Sequence, residues 1–215
     1  MQVVYLIRHG ETGHNRDGRV QGQTESELSE LGREQARLVG ERLRGVDFIK
    51  AFSSPRLRAV ETHRIALDGS VPVETHDGLS EIRLGAWEGE KAADLRKKYP
   101  EDVKRWFHNP SEVHIEGAET IRGFRQRVAR AMTGIRRANP EGTLAVFAHG
   151  GVICVYLTHL LGMKLDDIWR FKIRNCSVTR VVFPQDKPRI DLLGDVHHLK
   201  GALRELPART FRIFP

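Results

Sequence analysis

Two histidines, each standing beside a glycine at the end of a short apolar run, are the residues of this sequence best suited to chemistry. His9 lies between Arg8 and Gly10, and His149 precedes Gly150. Uninterrupted apolar runs of this length predict strands that are covered on both faces, and the glycine lets the chain turn sharply at each strand end. Ligands of open α/β sheets bind at the carboxyl ends of the strands. We therefore expect both imidazoles to lie above one sheet edge, where Arg8 could hold an anion.

Cleavage of a phosphate ester would need these residue types. Planar guanidinium groups grip phosphoryl oxygens better than ammonium groups do. Arg8 is one candidate, and Arg56 and Arg58, which follow another predicted strand, compete for the second position. His9 is the candidate nucleophile, because a neutral imidazole can attack phosphorus and form a phosphohistidine. His149 would lie across the phosphoryl group and stabilise its equatorial oxygens as an imidazolium or N–H donor.

Alternating strands and helices must position these side chains. The apolar patterns predict strands over residues 3–7, 47–52, 71–73, 143–148, 177–183 and 189–193, the last two as a hairpin. They predict helices over residues 30–44, 55–67, 92–107 with a break at Pro100, 118–137 and 152–161, and a loop over residues 11–23. This order predicts an α/β fold with a mostly parallel sheet covered by helices on both faces. Because no linker-like or repeated segment interrupts it, we predict a single domain over residues 1–215.

The chain carries an excess of basic residues. Lys and Arg together number 35 and Asp and Glu 28, which gives a net charge of +7. This charge fits attraction to an anionic substrate or nucleic acid, but it also fits a solvated basic surface without a partner. The basic residues are scattered through the predicted helices and are not clustered with aromatic residues. The pattern therefore favours the surface interpretation over a nucleic-acid partner.

Cysteine usage and apolar runs indicate the compartment. Cys154 and Cys176 are isolated and lack C-x-x-C spacing, which argues against a disulfide framework or a zinc site and fits a reducing environment. Residues 142–163 carry no charge and are long enough to span a bilayer, but His149 and two glycines interrupt them. We interpret them as a buried strand, a catalytic corner and a buried helix. Because Arg8 ends the first apolar run too early for a signal peptide, we expect a soluble, cytoplasmic protein without a membrane partner.

Paired histidines can also bind a metal ion, but the spacing does not support such a site. The chain has 10 histidines, including the adjacent pair His197 and His198. No His-x-x-x-His, Asp-x-Asp or His-Glu-x-x-His pattern accompanies them, and adjacent side chains point apart on a strand or helix. The P-loop and dinucleotide-binding fingerprints are missing as well. We expect neither a metal ion nor a cofactor.

Four motifs of the chain, in order, resemble those of the histidine phosphatase superfamily, which is also called the phosphoglycerate mutase-like superfamily. They are Arg8-His9-Gly10-Glu11-Thr12 with Asn15, Ser53-Ser54-Pro55-Arg56-Leu57-Arg58-Ala59, Leu79-Ser80-Glu81 with Gly85-Ala86-Trp87-Glu88-Gly89, and Ala148-His149-Gly150-Gly151. The resemblance spans most of the chain. It implies a three-layer α/β/α sandwich and a phosphohistidine on the residue in the position of His9.

The resemblance also implies roles that spacing leaves open. The second phosphate-binding arginine of the family directly precedes an alanine, which selects Arg58 and makes Arg56 a surface helix residue. Glu81 would protonate the leaving group and later activate water. Apolar neighbours would raise its pKa toward that of a proton donor. Glu88 would be structural. The positions expected to line the phosphate or substrate pocket are Thr12, Asn15, Gln21, Gly22 and Gly150.

The same residues serve phosphatases and mutases, so the departures from the mutase pattern decide between them. Mutases of the family carry a longer insertion after the acid loop and an Arg-His-Tyr after the glutamate. Here Glu81 is followed by Ile82-Arg83-Leu84, and the segment after Trp106 is compact. The chain is more similar to the broad-specificity phosphatase branch, also through Asn175-Cys176-Ser177-Val178-Thr179.

We therefore expect a metal-independent phosphomonoesterase that hydrolyses small phosphorylated metabolites. Three alternatives stay open: a phosphatase of narrow specificity with a substrate such as α-ribazole phosphate, a phosphoglycerate mutase, and a non-catalytic phosphate-binding module. The expected partner is the phosphorylated metabolite, and a homodimer is left open.

Overall fold

A six-stranded sheet lies at the centre of the structure, a computed structural model that describes residues 1–200. The strands within that range are β1 Gln2–Arg8, β2 Phe48–Ser53, β3 Val73–Thr75, β4 Gly142–Ala148, β5 Val178–Phe183 and β6 Arg189–Asp195. Their order across the sheet is β3-β2-β4-β1-β5-β6. Strands β3, β2, β4 and β1 pair in parallel, whereas β5 runs antiparallel to β1 and forms the predicted hairpin with β6. The prediction of a mostly parallel sheet is confirmed.

Helices connect and cover these strands. In the described part of the chain they are α1 Gly13–Arg16, α2 Glu30–Leu43, α3 Leu57–Leu67, α4 Ala92–Lys98, α5 Pro100–His108, α6 Ile121–Ala138 and α7 Gly150–Leu160. Ser29 caps α2, since its hydroxyl accepts a hydrogen bond from the N–H of Gly32 at 3.0 Å. Pro100 separates α4 from α5, as the sequence predicts, because proline fits the first position of a new helix.

Two local differences from the predicted elements lie beside the strand ends. The helix predicted from Pro55 begins later, as α3, because Arg56 is still extended at its N-cap. The loop predicted after the first strand contains the short helix α1. Thr12 and Asn15 cap it reciprocally: the Thr12 hydroxyl accepts from the N–H of Asn15 at 3.1 Å, and Asn15 Oδ1 accepts from the N–H of Thr12 at 3.2 Å.

Alternate residues of β1 belong to two separate cores, one on each face of the sheet. Val4 and Leu6 share a core with α6 and α7. Tyr5 and Ile7 share a core with α2 and α3. Successive side chains of a strand point to opposite faces, so this division shows helices packed on both sides of the sheet. The predicted three-layer α/β/α sandwich is confirmed.

The uncharged stretch that the sequence analysis singled out folds as predicted. It forms β4, a corner at His149 and the buried helix α7. Within the described residues, no helix is long and apolar enough to cross a membrane. Cys154 and Cys176 are buried free thiols. The end of the predicted single domain, residues 201–215, lies outside the described residues.

The ends of β1, β4 and β2 meet at one edge of the sheet. Strands β1 and β4 are neighbours in a register that pairs Arg8 with Ala148, so His9 and His149 each follow a paired residue. The N–H of His9 donates to the carbonyl of Ala148 at 3.0 Å. Strand β2 lies on the other side of β4, and the N–H of Ser54, directly after β2, is bonded to the backbone of β4. Three chain corners therefore converge at one place.

Candidate active site

His9 and His149 face each other where these corners converge. Their ring centroids are 5.2 Å apart and the ring planes are inclined by 60°. Only 3% of His9 and none of His149 is exposed. The structure thus brings together the two imidazoles that the sequence places at separate strand ends.

The tautomer of His9 follows from its contact with its own chain. Its Nδ1 lies 2.7 Å from the carbonyl oxygen of Gly10. A carbonyl can only accept, so Nδ1 carries the proton and Nε2 keeps a free lone pair. Burial, followed by the charges of Arg58 and Arg8, holds the pKa of His9 well below its ordinary value. His9 is therefore a neutral imidazole with an available nucleophilic nitrogen.

Both ring nitrogens of His149 have partners. Arg58 Nε donates to Nδ1 at 3.2 Å, and Nε2 lies 2.8 Å from the hydroxyl of Ser54. Burial lowers the pKa of His149 well below its ordinary value, and the charge of Arg58 lowers it further. This ring is therefore neutral.

Arg8 offers a guanidinium group beside His9. Its Nη1 donates to the carbonyl of Ile173 at 2.7 Å, which anchors one side of the group. Its Nε is buried and has no hydrogen-bond partner among the described residues. Burial lowers the pKa of Arg8, and the charge of Glu81 opposes this shift. The unpaired donor identifies Arg8 as a group able to bind an anion.

Of the two arginines that compete on spacing, Arg58 is the one that lies against His149. It is fully buried and donates to the carbonyls of Gly22 at 2.7 Å and Thr24 at 2.9 Å. Burial lowers its pKa to about 10, so it stays charged at neutral pH.

Arg56 differs from the surface helix residue that the sequence predicts. It stands at the N-cap of α3, and its side chain is 28% exposed. It pairs with Glu25 at 3.1 Å and donates to the carbonyl of Gln23 at 3.2 Å. These contacts give Arg56 a role in holding the loop before α2.

Glu81 is partly buried next to the beginning of α7. Its Oε2 accepts from the N–H of Gly151 at 3.0 Å, and its Oε1 accepts from the N–H of Ile82 at 3.0 Å. Burial raises the pKa of Glu81, although the two backbone bonds and the charges of Arg58 and Arg8 pull it down. A raised pKa favours the protonated form of the carboxyl group, which can donate a proton.

Two residues outside the predicted set hold Glu81 in place. A Cβ on Gly151 would lie 2.4 Å from Glu81 Oε1, so a side chain at this position would displace the carboxyl group. Arg127 of α6 donates to the carbonyls of Ser80 at 2.9 Å and Glu81 at 3.3 Å, and its guanidinium pairs with Glu119 at 2.5 Å. The acid loop is therefore tied to both α7 and α6.

The loop residues Thr12 and Asn15 are linked to His9 through Asn175. The Asn175 Nδ2 group donates to the carbonyl of His9 at 3.0 Å and to Asn15 Oδ1 at 3.2 Å. Asn15 Oδ1 also accepts from Thr12, so its oxygen is occupied by two donors. The amide N–H groups of Asn15 remain available as donors to a ligand.

Gly22 and Gln21 lie on the loop that Arg58 binds. Gly22 has a φ of +51°, and a Cβ on it would lie 2.2 Å from Glu88 Oε1. Glu88 accepts from the N–H of Gln23 at 3.0 Å and the hydroxyl of Thr24 at 2.8 Å, in keeping with a structural role. Gln21 is buried, and its Oε1 has no partner within the described part of the chain. Its contact with the site is through its chain neighbour Gly22.

The site is electropositive. Arg8 and Arg58 carry charges, and α7 begins at Gly150 with His149 at its N-cap. The N-terminal N–H groups of a helix favour a bound anion. A Cβ on Gly150 would be 3.5 Å from Arg8 Nε, so this corner passes close to the guanidinium group. The arrangement suits a phosphoryl group more than a cation.

Metal-ligating side chains do not cluster in the part of the chain that the structure describes. Within it, no group of three or more His, Cys, Asp or Glu residues is arranged to hold a metal ion. Of the adjacent histidines, His198 places Nε2 at 3.0 Å from the carbonyl of Cys176.

Sequence reasoning missed the contacts of Ser54, Asn175 and Gly151. All three belong to motifs quoted above, but no role followed from them. The available signals were local: Ser54 directly follows β2 at the same sheet edge as the histidines, and Gly151 is the second glycine of the His149 corner.

The comparisons with known proteins agree with this geometry. The family model described as histidine phosphatase superfamily (branch 1) matches residues 4–196. Phosphoserine phosphatase 1 of Hydrogenobacter thermophilus is 30% identical over 93% of this chain and 95% of its own length. The adenosylcobalamin/alpha-ribazole phosphatase of Escherichia coli is 31% identical over 79% of this chain and 84% of its own.

The chain is also similar to a protein named as a probable mutase and to a solved structure. A probable phosphoglycerate mutase of Erwinia tasmaniensis is 30% identical over 96% of this chain and 99% of its own. The structure of Bacillus stearothermophilus YhfR aligns with a TM-score of 0.89 and 29% identity, over 93% of this chain and 100% of its own. The similar proteins thus include proteins named as phosphatases and one named as a probable phosphoglycerate mutase.

Proposed function

The chain belongs to branch 1 of the histidine phosphatase superfamily, and on that basis we propose that it is a metal-independent phosphomonoesterase acting through a phosphohistidine on His9. The observation that carries this proposal is the bond of 2.7 Å between Nδ1 of His9 and the carbonyl of Gly10. It commits the proton to Nδ1 and leaves Nε2 as the nucleophile, beside the charges of Arg8 and Arg58.

The first half-reaction transfers the phosphoryl group to His9. Arg8, Arg58 and the N-terminus of α7 hold the phosphoryl oxygens. The Nε2 lone pair of His9 forms a bond to phosphorus as the bond to the leaving oxygen breaks, and protonated Glu81 gives its proton to that oxygen. The raised pKa of Glu81 supports this part, because it keeps a proton available.

The second half-reaction returns His9 to its starting state. Glu81, now a carboxylate, takes a proton from water, and the water oxygen attacks phosphorus as the bond to Nε2 breaks. Inorganic phosphate leaves, and Glu81 is protonated again. Neither half-reaction requires a metal ion in this scheme, because guanidinium groups and backbone N–H groups stabilise the charge.

Small phosphorylated metabolites are the proposed substrates. Relatives with the printed names phosphoserine phosphatase and alpha-ribazole phosphatase support this class, with phosphoserine and α-ribazole phosphate as the first compounds to test. The relative named probable phosphoglycerate mutase keeps the mutase as second candidate. Incubation with 3-phosphoglycerate separates them: a phosphatase releases inorganic phosphate, whereas a mutase forms the 2-phospho isomer. The two free buried thiols support a reducing, cytoplasmic location.

The direct test is release of phosphate from p-nitrophenyl phosphate in excess EDTA. We expect turnover that survives chelation and is lost in His9→Ala, with the protein still folded by circular dichroism. His159→Ala, which removes an exposed histidine of α7 far from these contacts, should retain the wild-type rate. Activity that needs a divalent cation, or that persists in His9→Ala, would refute the proposal. A folded protein that binds phosphate without turnover would instead be the binding module.

A further inference from the structure

The contacts of His149 assign a proton to one of its two nitrogens. Arg58 Nε approaches Nδ1 at 3.2 Å, and a guanidinium nitrogen can only donate. Nδ1 must therefore offer its lone pair, which leaves the proton of the neutral ring on Nε2. That N–H donates to the hydroxyl oxygen of Ser54 at 2.8 Å. Ser54 is the only partner of Nε2 that the described contacts give.

Ser54 is held rigidly enough to orient the ring. It is fully buried, and its backbone N–H donates to the carbonyl of Phe147 at 2.9 Å, which ties it to β4. Its hydroxyl oxygen also accepts from the N–H of Arg56 at 3.3 Å. Both lone pairs of this oxygen thus have donors, which makes Ser54 an acceptor toward His149.

The proton on Nε2 of His149 also excludes Ser54 as a nucleophile. A serine next to a histidine could be a nucleophile if the imidazole took its proton. Nε2 already carries a proton, so His149 cannot act as a base toward Ser54. The Ser54 hydroxyl can therefore orient the His149 ring but cannot attack phosphorus with its help.

We propose that Ser54 is a positioning residue for phosphoryl transfer: it retains the Nε2 proton of His149, so that Nδ1 is the nitrogen that meets the phosphoryl group beside Arg58 Nε. This inference rests on the proposed function and names the atom through which His149 works. Without a bound phosphoryl group, Arg58 Nε donates a hydrogen bond to Nδ1 of His149. A phosphoryl oxygen replaces Nδ1 as acceptor for Arg58, and Nδ1 gains a proton and donates to that oxygen.

The proton balance of this exchange is simple. A proton from the monoprotonated phosphate ester, or from solvent, moves to Nδ1 and gives an imidazolium facing a dianion. The charged groups that act on His149 are Arg58, Arg8 and Arg56, with His9 as the neighbouring imidazole. They oppose protonation of the empty ring, whereas the bound dianion favours it. Ser54 accepts from Nε2 in both states.

The first test reads the tautomer in the wild-type protein and needs no catalysis. Histidine ¹⁵N spectra, with the His149 signals assigned by their loss in His149→Gln, should show the proton on Nε2 in the free protein. Saturation with inorganic phosphate at neutral pH should protonate both nitrogens. A proton on Nδ1 in the free protein, or a ring that phosphate leaves neutral, overturns the proposal even if the enzyme is an active phosphatase.

The second test compares two neighbouring serines. Ser53 is also fully buried, and its hydroxyl donates to the carbonyl of Ser54 at 2.9 Å without touching His149. Loss of one hydrogen bond that orients the ring predicts that Ser54→Ala lowers kcat about tenfold with KM nearly unchanged. In the pH profile of Ser54→Ala, the fall of kcat at high pH should begin at a lower pH than in the wild type. The reason is that the His149 imidazolium loses the hydroxyl that accepts from Nε2. Ser53→Ala should change neither quantity.

Equal effects of the two substitutions on kcat and on the pH profile would overturn the proposal. If the wild-type protein shows no phosphatase activity, the proposed function fails, and the ¹⁵N spectra with inorganic phosphate still decide on the role of Ser54. The two failures are therefore distinguishable.

Discussion

Replacement of Gly151 by alanine should damage catalysis through Glu81 alone. In an ordinary helix this substitution stabilises by roughly 0.5–1 kcal/mol, because glycine loses more backbone entropy. Here the new Cβ would lie 2.4 Å from Glu81 Oε1 and 3.3 Å from Oε2. Carbon and oxygen atoms do not approach so closely, so the carboxyl group must retreat by about 1 Å. The N–H of Gly151 would then lose its bond of 3.0 Å to Glu81.

The expected loss of rate in Gly151→Ala follows from the contribution of Glu81 as general acid. General acid catalysis contributes roughly 10²–10⁴ in rate, and a displacement of about 1 Å can cost on the order of 10². We therefore expect Gly151→Ala to lower kcat/KM for alkyl phosphates such as phosphoserine roughly 100-fold. The loss of kcat/KM should be much smaller for p-nitrophenyl phosphate, because its leaving group departs without full protonation. The value of kcat should fall on both substrates, because Glu81 also activates the water that cleaves phosphohistidine.

Steady-state kinetics on both substrates measure this difference. The matched control is Gly134→Ala in α6, where a Cβ meets open space and the rate should be unchanged. Glu81→Gln should show the same dependence on the leaving group, and the double variant should be no worse than Glu81→Gln, since both changes remove one function. Full activity of Gly151→Ala on alkyl phosphates would refute the assignment of Glu81 as the acid.

Three further predictions follow from the same contacts. Arg58→Lys should lower kcat/KM for p-nitrophenyl phosphate roughly 100-fold, because an ammonium group cannot make its three directional bonds, whereas Arg56→Lys should stay within about threefold. The pKa of Glu81 is raised in the folded protein, so its ionisation removes stability as pH rises above an unfolded-state value of about 4.3. In thermal melts at pH 4 to 8, the melting temperature of Glu81→Gln should therefore rise relative to that of the wild type as the pH increases. A difference in melting temperature that does not change with pH would contradict the raised pKa. Fluorescence anisotropy with duplex DNA should show no specific complex, and affinity that falls steeply with salt would restore the nucleic-acid partner that the net charge suggests.

Most of the fold follows from local patterns in the sequence. Apolar runs predict the strands, and Pro100 predicts the boundary between α4 and α5. The turn between β5 and β6 predicts their hairpin. The sequence predicts a start of α3 that is too early, because Pro55 suits a first helical turn but Arg56 remains extended at the N-cap. The glycine-rich and polar composition around Thr12 predicts a loop, whereas the structure has the short helix α1 with a capping box there.

The site was predictable where it depends on strand ends and less so where it depends on packing. His9 and His149 follow strands, and a parallel sheet places such ends at one edge. The partners of His149 and Glu81 are far away in sequence: Ser54 precedes His149 by 95 residues, and Gly151 follows Glu81 by 70. No local sequence pattern predicts such contacts. They arise from the order of the strands and from the approach of α7 to the acid loop.

The most direct measurement of the central claim is the isomer of phosphohistidine that forms during turnover. Glu81→Gln keeps the nucleophile but lacks the base that activates water, so a phosphoryl-enzyme should accumulate with p-nitrophenyl phosphate. After a basic quench, peptide mass spectrometry and ³¹P NMR should find one phosphoryl group on His9, bonded to Nε2, because Nδ1 donates its proton to Gly10. A phosphoryl group on Nδ1, on another residue, or an enzyme that turns over without any covalent intermediate would contradict the account.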